Sequence, residues 1–374
     1  MTVRVLVTSA GSAPSNNLMR SLRAGPEPVL ITGCHDDRFV LKNSAADRNY
    51  LTPPVGHPQW ARALRHVLKA EAVQVIIPTI DTDVTVLSRE RKWLDRYLLF
   101  PSASVVETCQ DKYRLYTFLY SHGIAVPATR EVEDLKCIPD IFRQLGDARP
   151  LWCRVRKGAG GLGALPVRTP EQTRGWIRYW YDMRRIQVNS FILSEYLPGR
   201  DFGCQSVWKA GELILVKTYE RLSYLVTGSQ PAEVSTVAAL VKTVTEQRVV
   251  DTCVNAIRLL DTRASGVFSI DLKEDARGIP CITEINVGRF SSATNIVDLV
   301  GRHNMATTFV QLTSGQSVQL REVYDATEDW YMLRDIDSCP KLFHGSEIFD
   351  NITDSSCEVR ARTNKQRTRE TKTP

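Results

Sequence analysis

The chain has 374 residues, 43% apolar and 24% charged. That length suits two to three domains, and that composition suits an ordinary globular protein. No apolar run approaches the roughly 18–20 uncharged residues of a membrane span, and the apolar part of MTVRVLVTSAGSAP is too short for a signal peptide and reads as a buried strand. The net charge of +6 does not mark a nucleic-acid partner, because residues 358–374 carry six Arg or Lys against two Glu, which is +4 of the +6. That segment is nearly devoid of apolar residues and is expected to be a disordered basic tail from about residue 354. Nine cysteines are scattered without a CxxC pair and without a histidine at metal-ligand spacing. They read as reduced thiols of a cytoplasmic protein.

VRVLVT (3–8), PVLITGC (28–34) and VQVIIPT (73–79) are short apolar runs. Helical patterns alternate with them: LMRSLRA after the first run, WARALRHVLKAEA (60–72), then VTVLSRERKWLDRY (84–97). Alternation of this kind predicts an open parallel α/β domain over residues 1–105. A dinucleotide site is disfavoured there. The first turn holds only Gly11, so GxGxxG is absent, and Asp36 and Asp37 lie near the end of the second run without the glycines that admit a pyrophosphate. Asn16 and Asn17 suit helix capping.

QDKYRLYTFLYSHGIA (110–125) predicts a helix with Asp111 at its start and Gly123 closing it. PLWCRVRK (150–157) and LGALPVR (162–168) predict two strands flanking a glycine loop, and a helix is expected over about 170–184. FILSEYL (191–197) predicts a strand running into a Pro–Gly turn. FGCQSVWK and ELILVKTYE predict a hairpin, and 237–260 a helix. VFSIDLKE and CITEINVG predict a last hairpin, with a helical region beginning at NIVDLVGRHN. WYMLRDID reads as one more strand, with Trp330 as packing.

Two segments carry chemistry. The loop GAGGLG (158–163) has no side chains to obstruct a phosphate, and its N–H groups can form an anion nest. Arg154, Arg156 and Lys157 lie beside it, the two arginines on one face by strand alternation. Alone, such a loop equally suits a mobile hairpin tip. It is not a Walker A loop, because no GK[ST] follows and it joins strand to strand. About 110 residues on, Glu284 and Asn286 share one face of a strand, and the turn KEDARGIP can bring Asp271 opposite Glu284. Hard oxygen donors of this type suit magnesium with phosphate oxygens and water. Arg289 follows Asn286 by three residues, where it could offset charge on a transferring phosphoryl group. Alone it reads equally as a surface arginine.

In order and spacing these segments resemble the ATP-grasp superfamily, in the branch of the carbamoyl-phosphate synthetase large subunit and related carboxylate–amine ligases, over roughly residues 3–315. The resemblance implies a pre-ATP-grasp α/β domain (1–105) and two α+β subdomains clasping ATP (106–190 with the glycine loop, 191–350 with a metal site). It puts Lys112, Arg154 and the loop residues Gly158, Ala159, Gly160 and Gly161 at the nucleotide phosphates. SEYLPGRDF matches the hinge, which puts Glu195, Tyr196 and Leu197 at adenine and Asp201 at ribose. IDL and TEIN match the metal hairpin, which gives Asp271, Glu284 and Asn286 to magnesium, with manganese as the substitute ion. Arg156, Lys217 and Arg289 are the candidate catalytic cations, and Tyr219 and Arg221 border the carboxylate substrate beside Lys217, in a segment that otherwise reads as an ordinary hairpin.

The chain departs from the family at Val155, where proline is frequent, and at NVGR in place of NPR, which displaces Arg289 by one residue. One such unit and no glutaminase segment argue against full carbamoyl-phosphate synthesis. The implied activity is ATP-dependent coupling of a small carboxylate to an amine through an acyl phosphate. The oligomeric state stays open, with a homodimer as the default, and neither a nucleic-acid nor a membrane partner is expected. The competing readings are kinase- or carboxylase-like ATP chemistry and a non-catalytic nucleotide-binding protein.

Overall fold

The computed structural model describes residues 2–146, 150–225, 237–334 and 349–355. It divides into two compact units. Of the described residues, the first comprises 2–103, 288–321 and 349–355, and the second comprises 104–146, 150–225, 237–287 and 322–334. Residues 288–321 thus cluster with the N-terminal unit, where the sequence reading placed them with 191–350.

In the first unit, strands β1 (Val3–Thr8), β2 (Val29–His35), β3 (Arg48–Leu51) and β4 (Val75–Ile77) form a parallel sheet, with Ile352–Asp354 as a fifth strand beside β3. Continuous apolar runs such as VLV and VII are buried because a parallel sheet is covered on both faces. Asp354 is therefore in a strand, and 356–374, the rest of the expected tail, lies outside the described residues. Helix Ala13–Ala24 begins at the N-cap Ser12 with a proline in its first turn. Gly11, at φ 93°, is needed for packing, because a Cβ there would lie 1.9 Å from the Val40 carbonyl oxygen. Its glycine thus answers to a neighbouring backbone and not to a pyrophosphate.

The second unit holds two antiparallel sheets. The smaller has the order β5 (Thr129–Glu131), β8 (Phe191–Glu195), β6 (Leu151–Val155), β7 (Leu165–Val167). Helices Ile138–Leu145 and Pro170–Arg184 belong with it, and Ile141, Phe142, Cys153, Val167, Ile177, Phe191 and Leu193 form its core. The larger has the order β13 (Pro280–Val287), β12 (Gly266–Glu274), β9 (Asp201–Lys209), β10 (Glu212–Tyr224), β11 (Ala238–Thr243), β14 (Tyr331–Leu333). Its strands alternate, with Phe202, Cys204, Phe268, Ile270 and Ile285 all buried. Helix Gln247–Leu260 contacts β9, β10 and β13 of this sheet. The helix expected over 237–260 is therefore two elements. Residues 238–243 satisfy their backbone groups against β10 and β14, and tertiary pairing overrides the helical pattern.

Candidate functional site

The site is built on one face of the larger sheet. Residues opposite each other in register share a face, and three rows result. The first is Lys217, Gln205, Ser269 and Asn286; the second is Tyr219, Gly203, Asp271 and Glu284; the third is Arg221, Asp201 and Lys273. Every one of these but Gly203 is polar, and the third row runs on into the buried Cys281 of β13 and Val241 of β11. Gly203 keeps the middle row open, since a Cβ there would fall 2.1 Å from the Tyr219 ring. The sequence reading identifies Lys217, Tyr219, Arg221, Asp201, Asp271, Glu284 and Asn286 among these. It missed Gln205, Ser269 and Lys273, which a strict period-two reading of FGCQSV and FSIDLK would have placed on the same face.

Asp271 lies directly opposite Glu284. Burial, and secondarily the Glu284 charge, raise the Asp271 carboxyl above its ordinary value against the opposing effect of Arg221. Asn286 Nδ2 donates to Asp271 Oδ2 at 3.2 Å. Arg221 donates to Asp271 through Nη2 and, at 2.8 Å through Nη1, to Asp201 Oδ1. The Tyr224 hydroxyl donates to the other Asp201 oxygen at 2.6 Å. Both oxygens of Asp201, the expected ribose ligand, thus accept protein hydrogen bonds here.

Two cations come from outside the sheet. Asp111 caps helix Lys112–Ser121, with its carboxylate accepting from the Arg114 N–H. The helix start sends Lys112 inward, 2% exposed, with Nζ 2.8 Å from the Gly158 carbonyl oxygen and 3.4 Å from Glu284 Oε1. Arg154, on β6, reaches Glu284 Oε2 at 3.2 Å. Its Nε–H is buried with no hydrogen-bond partner, an unspent donor beside the carboxylate. Gly158, Gly160, Gly161 and Gly163 all have positive φ. Ala159 completes the loop, whose Gly158 carbonyl is tied to Lys112.

Arg156 does not join this cluster. β6 ends at Val155, so strand alternation no longer governs Arg156. Its guanidinium bonds both Asp111 oxygens at 2.9 Å and also Glu131. It braces the helix start. Arg289 lies in the first unit, where its Nε–H donates to Asp81 at 2.5 Å. Gly288 adopts φ 74° with Phe100 and Val84 where a Cβ would be, and a proline cannot take that conformation. That explains both the NVGR sequence and the displaced arginine. Lys217 stands on the site face, 2% exposed, paired at 2.8 Å with the fully buried Asp325. Glu195 ends β8, with its N–H on the Ala128 carbonyl; Tyr196 is half-exposed and Leu197 buried. Among the described residues no group of three or more His, Cys, Asp or Glu is arranged to hold a metal. The candidate set includes an amide, two carboxylates with Asn286.

No family model matches the chain. A probable alpha-L-glutamate ligase of Aeromonas salmonicida is 26% identical over 230 residues, which is 58% of this chain and 70% of that relative. The L-amino acid ligase of Bacillus licheniformis is similar in structure, with a TM-score of 0.62 at 13% identity over 84% of this chain and 74% of that one. So is the carboxyaminoimidazole ribonucleotide synthase of Aspergillus clavatus, crystallised with ATP, with a TM-score of 0.65 at 15% identity over 88% of this chain and 81% of that one. The chain has the ATP-grasp fold. The segments that carried the resemblance fall on helix Lys112–Ser121, the hairpin β6–β7, the turn between β8 and β9, and the hairpin β12–β13. All of these ATP-grasp elements lie in the second unit.

Proposed function

We propose that the chain is an ATP-dependent ligase that activates a carboxylate as an acyl phosphate and couples it to an amine, releasing ADP and phosphate. The observation that carries this reading is the convergence of Lys112 and Arg154 on Glu284, opposite Asp271 and beside the glycine loop, with the Arg154 Nε–H unspent. In this reading Asp271, Glu284 and Asn286 hold magnesium or manganese. Two carboxylates and an amide on adjacent strands are the hard-oxygen chemistry such an ion takes. When bound, the metal supplies positive charge against the phosphate oxygens.

The chain's own residues do the rest. Lys112 and Arg154 hold the phosphates, with the N–H groups of Gly158, Ala159, Gly160 and Gly161 closing over them and excluding water. Both cations are already gathered at Glu284, so they pass to the phosphates over a short distance when Glu284 takes the metal. The backbone at Glu195, Tyr196 and Leu197 takes the adenine edge. Asp201 takes the ribose when Arg221 or Tyr224 yields it. The substrate carboxylate oxygen attacks the γ-phosphorus and ADP leaves. The amine nitrogen then attacks the acyl carbon, phosphate leaves and the nitrogen loses a proton. Lys217, Tyr219 and Arg221 border the carboxylate. Names of relatives, a glutamate ligase and an L-amino acid ligase, make amino acids the first substrates to test.

A cytoplasmic homodimer goes with this reading. Among the described residues no helix is long and apolar enough to cross a membrane, and the seven described cysteines are free thiols. The biotin carboxylase domain of a Hydrogenobacter thermophilus carboxylase of this fold was crystallised as a dimer.

The test is release of ADP and phosphate from magnesium–ATP across pooled amino acids and small carboxylic acids, with Glu284→Ala as control. Release that depends on one pool and disappears in the variant establishes the ligase. Failure to bind ATP removes the reading.

A further inference from the structure

Among the described residues, Arg221 is the one guanidinium that spans two rows of the site face. Its own register partner is Asp201, and it also reaches Asp271, across β9. The path exists because Gly203, between Tyr219 and Asp271, has no side chain, and because the Tyr219 hydroxyl lies 3.3 Å from Arg221 Nη2 on that side. The planar fork bonds one carboxylate with each Nη. Both carboxylates are largely withdrawn from water, as is the arginine, at 12% side-chain exposure. Buried carboxylates without a counter-charge are strongly disfavoured. Arg221 therefore does for Asp271 what Lys112 and Arg154 do for Glu284.

We propose that Arg221 is the resident cation of the metal site, holding Asp271 in place of a divalent ion and so making metal binding depend on nucleotide. This rests on the proposed assignment of Asp271, Glu284 and Asn286 to the metal. A divalent ion arriving alone must take Asp271 from Arg221, or settle beside a desolvated guanidinium that repels it. An ion arriving with a nucleotide brings the phosphates' negative charge, which offsets the excess. The exchange costs least when metal and nucleotide enter together, and empty sites do not load metal. Lys112 and Arg154 do not provide this dependence, because both remain useful to phosphates once Glu284 turns to the ion, whereas Arg221 sits on the side of Asp201.

Manganese binding, read by the electron paramagnetic resonance signal of free Mn²⁺, tests the proposal with and without the β,γ-imido analogue of ATP. The wild-type chain should bind Mn²⁺ weakly alone and tightly with the analogue. In Arg221→Gln the affinity for Mn²⁺ alone should rise by roughly 5–150-fold, the usual range of a coupling between two ligands, and the gain from the analogue should shrink correspondingly. Arg221→Lys, which keeps a cation, should stay closer to wild type, and Asp271→Asn should lose Mn²⁺ in both conditions. Should Arg221→Gln be unstable, Arg221→Gln with Asp201→Asn removes one of the stranded carboxylates, and the rise in Tm caused by Mn²⁺ alone gives a second readout that should exceed wild type's. Unchanged or weaker binding of Mn²⁺ alone in the variant overturns the proposal while leaving the metal site standing. Absence of Mn²⁺ binding with the analogue in every protein removes the metal assignment itself, and the proposal with it.

Discussion

Arg154 and Glu284 are 130 residues apart in sequence and lie on strands of different sheets, yet Nη2 and Oε2 meet at 3.2 Å. The contact ties the glycine-loop hairpin to the carboxylate hairpin, and Lys112 reinforces it from the entry helix. It gives the site a spring-loaded electrostatic state. Glu284 is neutralised by cations that a phosphate would also recruit.

Removing either cation should therefore weaken nucleotide binding more than folding. Arg154→Met and Lys112→Met keep much of the packed stem, leave Glu284 the other cation, and should each lower kcat/KM for ATP on the order of 10²-fold, the scale for losing one fixed donor to developing charge. Displacement of a fluorescent ATP analogue checks the binding part. Wild-type affinity in both variants would take these residues away from the phosphates.

The glycines of the loop should separate by function. Gly160 sits at φ 67°, and a Cβ added there would have nothing within 4 Å, so Gly160→Val strains only the loop, by about 1–3 kcal/mol. Its KM for ATP should rise, and its Tm should fall by no more than that loop strain accounts for. Gly163 also has positive φ, but its Cβ would lie 2.8 Å from Val155 and 2.9 Å from Phe191. Gly163→Ala should lower folding stability by about 1–3 kcal/mol through overpacking, seen as a shifted urea midpoint. An unshifted midpoint would mean the smaller sheet yields more than its packing suggests.

The parts of the site legible in the sequence were those encoded locally. Alternation put Glu284 and Asn286 on one face, and the turn at Gly278 and Pro280 returns the hairpin. A β-bulge that no local pattern announces shifts the register between the Leu272–Ile282 and Asp271–Glu284 pairs, so that Glu284 and not Thr283 faces Asp271. Asp111 as a helix start followed from its side chain's capping chemistry. What sequence could not supply was partner choice. Arg154 and Arg156 look equivalent by spacing, but the strand ends between them, and Asp111 and Glu131 claim Arg156. Nor does any local pattern show that 323–325 runs parallel beside β10 at Val216 and delivers Asp325 to Lys217. The run at 238–243 reads as helix because pairing with β10 and β14 is a long-range fact.

That Lys217–Asp325 pair makes a stability prediction with a built-in control. Both side chains are nearly without solvent exposure. Asp325→Ala strands a buried ammonium and should cost about 3–5 kcal/mol, whereas Lys217→Met with Asp325→Leu should recover most of it, because a buried pair is worth little against apolar replacements of similar volume. Guanidinium unfolding of the three proteins measures this. If the double variant is as unstable as Asp325→Ala, the loss comes from the parallel bridge between Val216 and Tyr324 and not from the charge.

Asp111 gives a prediction in pH. Burial raises its carboxyl, but the hydrogen bonds from Arg156 and the Arg114 N–H, with the charges of Arg156 and Lys157, outweigh that and hold it below the ordinary 3.8. A carboxyl lowered by folding adds stability above its unfolded value, and that contribution is lost as pH falls through the lower folded value. Asp111→Asn still caps the helix but forfeits the ionic part. At pH 7 the variant should therefore melt below wild type. Between pH 4 and pH 2 the gap should close, because wild type loses the advantage that the variant never had. Paired Tm measurements across that range decide it. A gap that is constant or widens on acidification would show that Arg156 and Lys157 do not stabilise the ionised form, and that the helix start is held by its cap alone.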